Sequence, residues 1–196
     1  AAGRKTEAAA EARAAVAGDG VPPVRTVQLA GAILVRAGAA AEAEALYRRA
    51  GEGYGAEDTG SLAELLQALP ATANPAKPVM ASAADGAAEA LLQASGALAQ
   101  KEVRDGALMV GKLGLYLKPN FPFLQMFVGE LLDAAGRPAD ANLVYAGIDR
   151  TSPLSWQARL ARAENLNRMD RFADAEKELR AMAAERPDDP HALLLL

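Results

Sequence analysis

The sequence predicts an all-α fold: an α-solenoid, a right-handed superhelix of helix-turn-helix repeats. The first supporting observation is composition, because hydrophobic residues make up 51% of the 196 residues while aromatic residues make up only 5%. Much of the apolar share is alanine, the best helix former, which favours closely packed helices over strands. The second observation is a spacing of 34 residues that recurs along the chain, and the third is the glycine and proline that punctuate the repeats.

The 34-residue period is visible in three independent registers of the second half of the chain. These registers are Pro119, Pro153 and Pro187; Ala107, Ala141 and Ala175; and Leu98, Leu132 and Leu166. A unit near the start of the chain has the same residue spacing, 98 residues before its counterpart in the second half. We interpret these 98 residues as periods of 34, 30 and 34, so that one repeat between them is four residues short. In the unit near the start, Gly31, Leu34, Gly38, Ala43 and Tyr47 match Gly129, Leu132, Gly136, Ala141 and Tyr145. A fixed period of this length is typical of a stacked repeat array.

Each unit is predicted to form two helices, and its most regular copy shows the pattern. The first helix of that copy is PFLQMFVGELLDAAG and the second is RPADANLVYAGIDR. Gly136 ends the first helix, since glycine adopts the left-handed conformation at little cost. Pro138 fits the first turn of the second helix, Ala141 is small enough for a close helix crossing, and Pro153 closes the unit. The predicted helix pairs lie near 24–51, 88–118, 121–150 and 155–185.

These units resemble tetratricopeptide repeats over roughly 24–51 and 88–196. The matching residues are Gly129, Leu132, Gly136, Ala141, Tyr145 and Pro153 in one unit, Gly31, Leu34, Gly38, Ala43, Tyr47 and Ala50 in another, Ala163, Leu166, Phe172, Ala175 and Pro187 in a third, and Leu98, Ala107 and Pro119 in a degenerate fourth. The third unit departs from the family, because Asp170 replaces the usual glycine and Trp156 lies three places before the family's early tryptophan. The resemblance implies a concave groove, lined by the first helices, that binds protein segments.

The repeat boundaries divide the chain into seven predicted segments. They are 1–23, a partial repeat with its second helix and a turn; 24–57, a repeat; 58–87, an irregular helix and a proline-rich linker; 88–121, a degenerate repeat; 122–155 and 156–189, two repeats; and 190–196, the start of a truncated repeat. Both ends fall inside a repeat, and neither resembles the polar cap that solenoids need, so we expect the chain to be part of a longer array.

Two short stretches imitate nucleotide-binding motifs. GALMVGKL, at 106–113, nearly spells a phosphate-binding loop, but Leu113 stands where that loop needs the serine or threonine that holds magnesium. The preceding LAQKEVRD is predicted to be helical, so we expect the glycines to permit close helix packing and Lys112 to be a solvated charge. GEGYGA, at 51–56, follows a predicted helix instead of the strand that precedes a dinucleotide-binding turn. Neither stretch is therefore predicted to bind nucleotide.

The composition offers little chemistry for an active site, so we predict a non-enzymatic protein without a cofactor or a metal. The chain has no cysteine and a single histidine, His191, which removes thiolate and paired-histidine metal sites. Its 21 basic and 25 acidic residues are interspersed and give a net charge of −4, which does not favour nucleic acid. No apolar run is long enough for membrane insertion. Since a cysteine-free chain suits the cytoplasm and the periplasm equally, we expect a soluble protein of either compartment.

Function is therefore expected on a surface, along the stripe that i, i+4, i+7 spacing selects on each first helix. The candidate groove residues are Gln28, Val35, Arg36, Gln100, Met126, Glu130, Asp133, Leu160, Glu164, Asn167 and Arg168. Carboxylates beside an adaptable methionine suit a partner protein or peptide segment that is apolar or basic. The first interpretation is an adaptor that holds such a segment in the groove. The alternative is a structural scaffold, a homo-oligomer that self-associates by stacking its repeats.

Two further groups of side chains have structural interpretations. An arginine cluster interleaved with acidic residues is expected to form a solvated, salt-bridged face. It consists of Arg159, Arg162, Arg168 and Arg171. Three phenylalanines are expected in the core, since phenylalanine is usually buried. They are Phe121, Phe123 and Phe127.

Overall fold

The computed structural model describes residues 2–18, 20, 22–53, 80–187 and 190–195. Within these ranges the chain forms ten α-helices and no strand, which confirms the predicted all-α class. The helices are α1 (Ala2–Ala15), α2 (Val24–Ala37), α3 (Ala40–Gly53), α4 (Ala83–Gln100), α5 (Arg104–Leu117), α6 (Pro122–Ala134), α7 (Pro138–Ala146), α8 (Ser155–Arg168), α9 (Phe172–Glu185) and α10 (His191–Leu194). The chain divides into two compact units, Ala1–Ala81 and Ser82–Leu196.

The first unit contains α1, α2 and α3, which pack in chain order. Its buried cluster is rich in alanine and includes Val27, Leu34 and Tyr47. The helix α1 contributes Ala9 and Ala12 to this cluster, and Val16 follows directly after the helix. Its predicted place as the second helix of a partial repeat stays a prediction.

In the second unit, each helix from α4 to α10 packs against the next helix along the chain. Contacts of this neighbouring kind characterise a solenoid-like arrangement, in which a helix pair buries its apolar face against adjacent pairs. Leu124 and Val128 of α6 lie in one buried cluster, while Leu179 and Met182 of α9 lie in another. The right-handed twist of the superhelix stays a prediction.

Each of the four helix pairs turns through a left-handed residue at the same place in the repeat. The φ angles are 91° at Gly38, 60° at Glu102, 69° at Gly136 and 58° at Asp170. The next residue in every case donates its backbone N–H to a leucine carbonyl oxygen, at 2.8–3.0 Å. These leucines are Leu34, Leu98, Leu132 and Leu166. The bond closes the helix end in the manner of a Schellman motif, so the predicted end at Gly136 is confirmed and recurs without glycine at two other turns.

The crossing of the two helices in a repeat is filled by residues of complementary size. A Cβ added at Gly129 would stand 2.1 Å from the Tyr145 ring, and one added at Gly31 would stand 2.3 Å from the Tyr47 ring. The corresponding buried pairs in the other two repeats are Ser95 with Gly111 and Ala163 with Leu179. Because core packing is dense, a small residue on one helix is what admits the larger side chain from the other.

The alanine register lies beside these crossings. Its members are Ala43, Ala107, Ala141 and Ala175. Each one is the fourth residue of the second helix in its pair, and none exposes more than 1% of its surface. The predicted equivalence of these positions is therefore confirmed, and so is the two-helix form of the repeat.

Two helix boundaries differ from the sequence prediction. The helix α4 begins at Ala83 rather than near 88, because Ser82 and Asp85 form a capping box: the Ser82 Oγ accepts from the Asp85 N–H at 3.1 Å, and the Asp85 carboxylate accepts from the Ser82 N–H at 3.0 Å. The linker predicted at 58–87 therefore ends earlier, and its 58–79 portion lies outside the described residues. The helix α7 ends at Ala146 rather than 150, where Asp149 instead accepts the Thr151 N–H in a turn.

Candidate functional site

Most of the predicted groove residues lie on α6 and α8, the first helices of adjacent repeats. They are Met126, Glu130, Asp133, Leu160, Glu164, Asn167 and Arg168. Glu130 and Glu164 occupy equivalent positions, 34 residues apart, and both are exposed. Met126 and Leu160 are likewise equivalent, and both are half-buried. Each repeat thus presents one carboxylate beside one apolar side chain, and we call Met126, Glu130, Leu160 and Glu164 the acidic face.

The remaining predicted groove residues lie on other helices. Gln100 is exposed at the end of α4, and on α2 Arg36 is exposed while Val35 is half-buried. Gln28, only 9% exposed, accepts a hydrogen bond from the Arg25 side chain at 3.1 Å. The expectation that Gln28 lies open in a groove is therefore wrong, because its side chain is buried within the first unit.

Asp133 is the centre of a polar network that joins α6, α7 and α8. Its Oδ2 accepts a hydrogen bond from the Tyr145 hydroxyl at 2.9 Å. Its Oδ1 accepts from the Asn165 amide at 2.7 Å and from the Arg168 guanidinium at 2.9 Å. Asn165 also donates to the Asn142 side chain at 3.0 Å, and its own oxygen accepts from Arg168. Charge-assisted bonds of this kind are stronger than neutral ones, so the network fastens one repeat to the next.

The interpretation of Asp133 as an open groove carboxylate is consequently corrected. Only 19% of its side chain is exposed, and both oxygens accept from donors of the protein itself. Arg168 remains 52% exposed, but its guanidinium is turned toward Asp133. The same contact joins the C-terminal ends of α6 and α8, the two helices that carry the acidic face.

Two members of this network were not predicted from the sequence as functional or structural polar residues. Asn165 is 1% exposed, and nothing in its helical spacing distinguishes it from a solvated asparagine. Tyr145 was predicted by its repeat register, but its hydroxyl partner was not. The equivalent Tyr47 donates instead to the Gln28 backbone carbonyl at 3.2 Å, because Val35 stands where the other repeat has Asp133.

Glu130 differs from Asp133, because among the described residues its carboxylate has neither a hydrogen-bond donor nor a cationic partner. The surrounding protein removes part of its water, and this loss of hydration raises the pKa of Glu130 above the ordinary value of 4.5. The nearby Asp133 carboxylate raises that pKa further. Burial and the bond to Asp133 also raise the pKa of the Tyr145 hydroxyl far above its usual value. The negative charge of Glu130, unlike that of Asp133, is therefore not compensated by a cation of the described residues.

The stretch at 106–113 lies inside α5, but the preceding LAQKEVRD is not the helix that was predicted, because its residues 101–103 form the turn between α4 and α5. Positions 111 and 114 face α6, where an added Cβ at Gly111 would meet Val128 at 2.7 Å and one at Gly114 would meet Leu124 at 2.5 Å. Lys112 is exposed, as predicted. Gly111 of this stretch thus serves helix packing, as predicted, and the residues 54–56 of the second imitation motif lie outside the described residues.

The arginine cluster is solvated only in part. Arg171 pairs with Asp174 on the surface, as expected. Arg159, in contrast, is buried between Glu178 at 2.6 Å and Glu185 at 2.5 Å, above the Trp156 ring. The expectation of a solvated face is therefore wrong for Arg159, because acidic side chains of α9 enclose it.

Trp156 is 8% exposed and belongs to the buried cluster of α8 and α9. Phe121 is 3% exposed and belongs to the buried cluster around α6, which confirms its predicted place in the core. Phe123 and Phe127 are half-buried.

Metal and membrane chemistry find no support in the part of the chain that is described. Its histidine and acidic side chains form no group of three that could hold a metal ion. None of its helices combines the length and the apolar character that crossing a bilayer requires. No family model, curated protein or solved structure matches the chain.

Proposed function

We propose that the chain is a non-enzymatic protein-interaction module, of the kind that tetratricopeptide repeats form, and that its acidic face binds a basic, partly apolar segment of a partner protein. The observation that supports this proposal is the uncompensated carboxylate of Glu130. Its raised pKa means that the folded protein disfavours the charged form, so the residue does not serve stability. A cation supplied by a partner would remove that disadvantage.

The arrangement of the face favours lysine or arginine over a simple cation. Such side chains place an alkyl stem along apolar surface while the charged head stays in contact with water or an anion. Met126 and Leu160 offer half-buried apolar surface, and Glu130 and Glu164 offer the anions. Because the same pair recurs in adjacent repeats, two basic residues of one extended segment can be bound together.

A peptide titration tests this proposal. The probe is a fluorescein-labelled peptide of alternating lysine and leucine, and the reference is a peptide of equal length that alternates glutamate and leucine. We expect the basic peptide to bind and its affinity to fall as salt is raised, because added ions screen exposed charges. The double variant Glu130→Gln, Glu164→Gln should lose at least tenfold in affinity.

The matched control for this titration is Glu176→Gln on α9, whose exposed carboxylate pairs with Arg180 at 2.6 Å. It removes one negative charge, as Glu130→Gln does alone, without touching the acidic face, so it should leave peptide binding within twofold of the wild type. Equal loss in the control and the double variant would show that net charge alone attracts the peptide. Equal binding of the acidic peptide would also contradict the proposal.

The second candidate function is a scaffold that self-associates. It is favoured by a different observation, the apolar outer side of α5, and it involves none of the residues of the acidic face.

A further inference from the structure

The outer side of α5 carries more exposed large apolar side chains than any other described helix. They are Met109, Leu113, Tyr116 and Leu117, exposed by 69%, 52%, 82% and 40%. The opposite side of the helix, which includes Gly111 and Gly114, packs against α6. The exposed side chains therefore contribute little to the core of their own unit. Their exposed area of roughly 400–500 Å² is on the scale of the largest apolar patches of soluble monomers.

The spacing along this side of α5 is that of a helix-pairing seam. Gly106, Met109, Leu113 and Tyr116 follow one another by three, four and three residues, the a/d spacing of coiled coils. These steps read the same in both directions. An antiparallel copy of the same helix can therefore place every member of the seam opposite another member.

We propose that two copies of this chain pair through α5, antiparallel and about a two-fold axis. In this register Met109 lies opposite Leu113 of the second copy, and Leu113 lies opposite its Met109. Tyr116 lies opposite position 106 of the second copy, where the half-exposed Val103 side chain packs 3.1 Å from the place that a Cβ of Gly106 would take. The seam is thus self-complementary, which is the requirement for an isologous interface.

The charges that flank the seam agree with a second copy as its occupant. Asp105 and Lys112 border the same edge, one negative and one positive, and both are exposed. This edge carries no net charge that would select an acidic or a basic partner of another kind. Leu143, 75% exposed on α7 and 34 residues after Met109, extends the apolar outer side into the next repeat.

The size of the seam indicates a weak dimer. Two such faces bury roughly 800–1,000 Å² in total, which is below the range of stable specific interfaces and within that of weak, transient ones. The dimer is therefore weak and reversible, with a dissociation constant on the order of 10–1,000 µM. Because the interface is isologous, association stops at two copies.

Sedimentation over a wide concentration range tests both the state and the surface. The weight-average mass should rise from 20.3 kDa toward twice that value and then level off. Leu113→Glu should abolish the rise while its circular dichroism stays that of the wild type. Leu194→Glu, a matched change at a 79% exposed leucine of α10, should leave the rise unaltered. Growth beyond the dimer, or a strictly monomeric wild type, would overturn the proposal.

A crosslinking experiment tests the register, and the absence of native cysteine makes it unambiguous. Met109→Cys and Leu113→Cys chains, mixed in equal amounts and oxidised, should form a covalent dimer, because the two positions lie opposite each other. Either variant alone should crosslink at least fivefold less. A parallel pair would give the reverse result, because each cysteine would then lie opposite the same position of the second copy. If none of the three samples forms a crosslink, pairing through α5 is contradicted.

Discussion

Replacing Asp133 by alanine should destabilise the second unit by about 2–4 kcal/mol. The change leaves the hydroxyl of Tyr145, a residue only 2% exposed, without its acceptor, and a buried unsatisfied group costs about 1–3 kcal/mol. It also removes the charged acceptor of Asn165, a bond worth about 1.5–3 kcal/mol, which the remaining bond to Asn142 offsets in part. The pair with the half-exposed Arg168 contributes little, about 0–1 kcal/mol.

The assay for this prediction is urea unfolding followed by tryptophan fluorescence. Trp156 is the only tryptophan of the chain and lies on α8, so its signal reports the second unit. Glu130→Ala, one turn earlier on the same helix, is the matched control and should change stability by no more than about 0.5 kcal/mol. A double-mutant cycle with Tyr145→Phe should give a coupling energy of about 1–2 kcal/mol. If Asp133→Ala costs no more than Glu130→Ala, the network does not join the repeats and the reasoning fails.

Three further predictions concern the packing, the pH dependence and the turns, and each is tested by thermal unfolding. Gly129→Ala should cost about 2–3 kcal/mol because its Cβ meets Tyr145, whereas Gly86→Ala, with nothing within 4 Å, should stabilise α4 by about 0.5–1 kcal/mol; equal effects would contradict the packing. Because the pKa of Glu130 is raised in the folded state, the folded protein keeps the carboxyl proton to a higher pH than the unfolded chain does. The stability of the wild type relative to Glu130→Gln should therefore fall as the pH rises above 4.5. A stability difference that does not change with pH would refute this. Asp170→Gly should stabilise by about 0.5–1 kcal/mol because φ there is 58°, and a loss would show that the aspartate side chain matters more than the backbone.

The repeat architecture was predictable because its signals are local and recur. A leucine at one register, a turn four residues later and an alanine in the next helix give the period without any knowledge of contacts. The residue types at the turn were less informative. Asp170 and Glu102 adopt the left-handed conformation that glycine favours, because the bond to the carbonyl of Leu166 or Leu98 is set by the helix pair as a whole.

The start of α4 was predictable in principle from Ser82 and Asp85, since the S-x-x-D spacing is a known start signal for helices. It was obscured by the proline-rich stretch that precedes it.

The candidate site was predictable only to the level of a helix face. Spacing assigned Glu130 and Asp133 to the same side of α6, but it could not distinguish the exposed carboxylate from the engaged one. That distinction depends on donors from two other helices, Tyr145 of α7 and Asn165 of α8. Arg159 was misassigned for the same reason, because its burial results from acidic side chains brought in by α9.

The most direct test of the proposed function is calorimetric titration of the lysine–leucine peptide at several pH values above 4.5. A cation bound beside Glu130 lowers the raised pKa of that carboxyl, so binding should release protons and weaken as the pH falls toward 4.5. Buffers that differ in ionisation enthalpy measure this release. We expect Glu130→Gln to abolish the proton release and weaken binding, without lowering the melting temperature. Tight binding to Glu130→Gln with the same proton release would contradict the assignment of the acidic face as the binding surface.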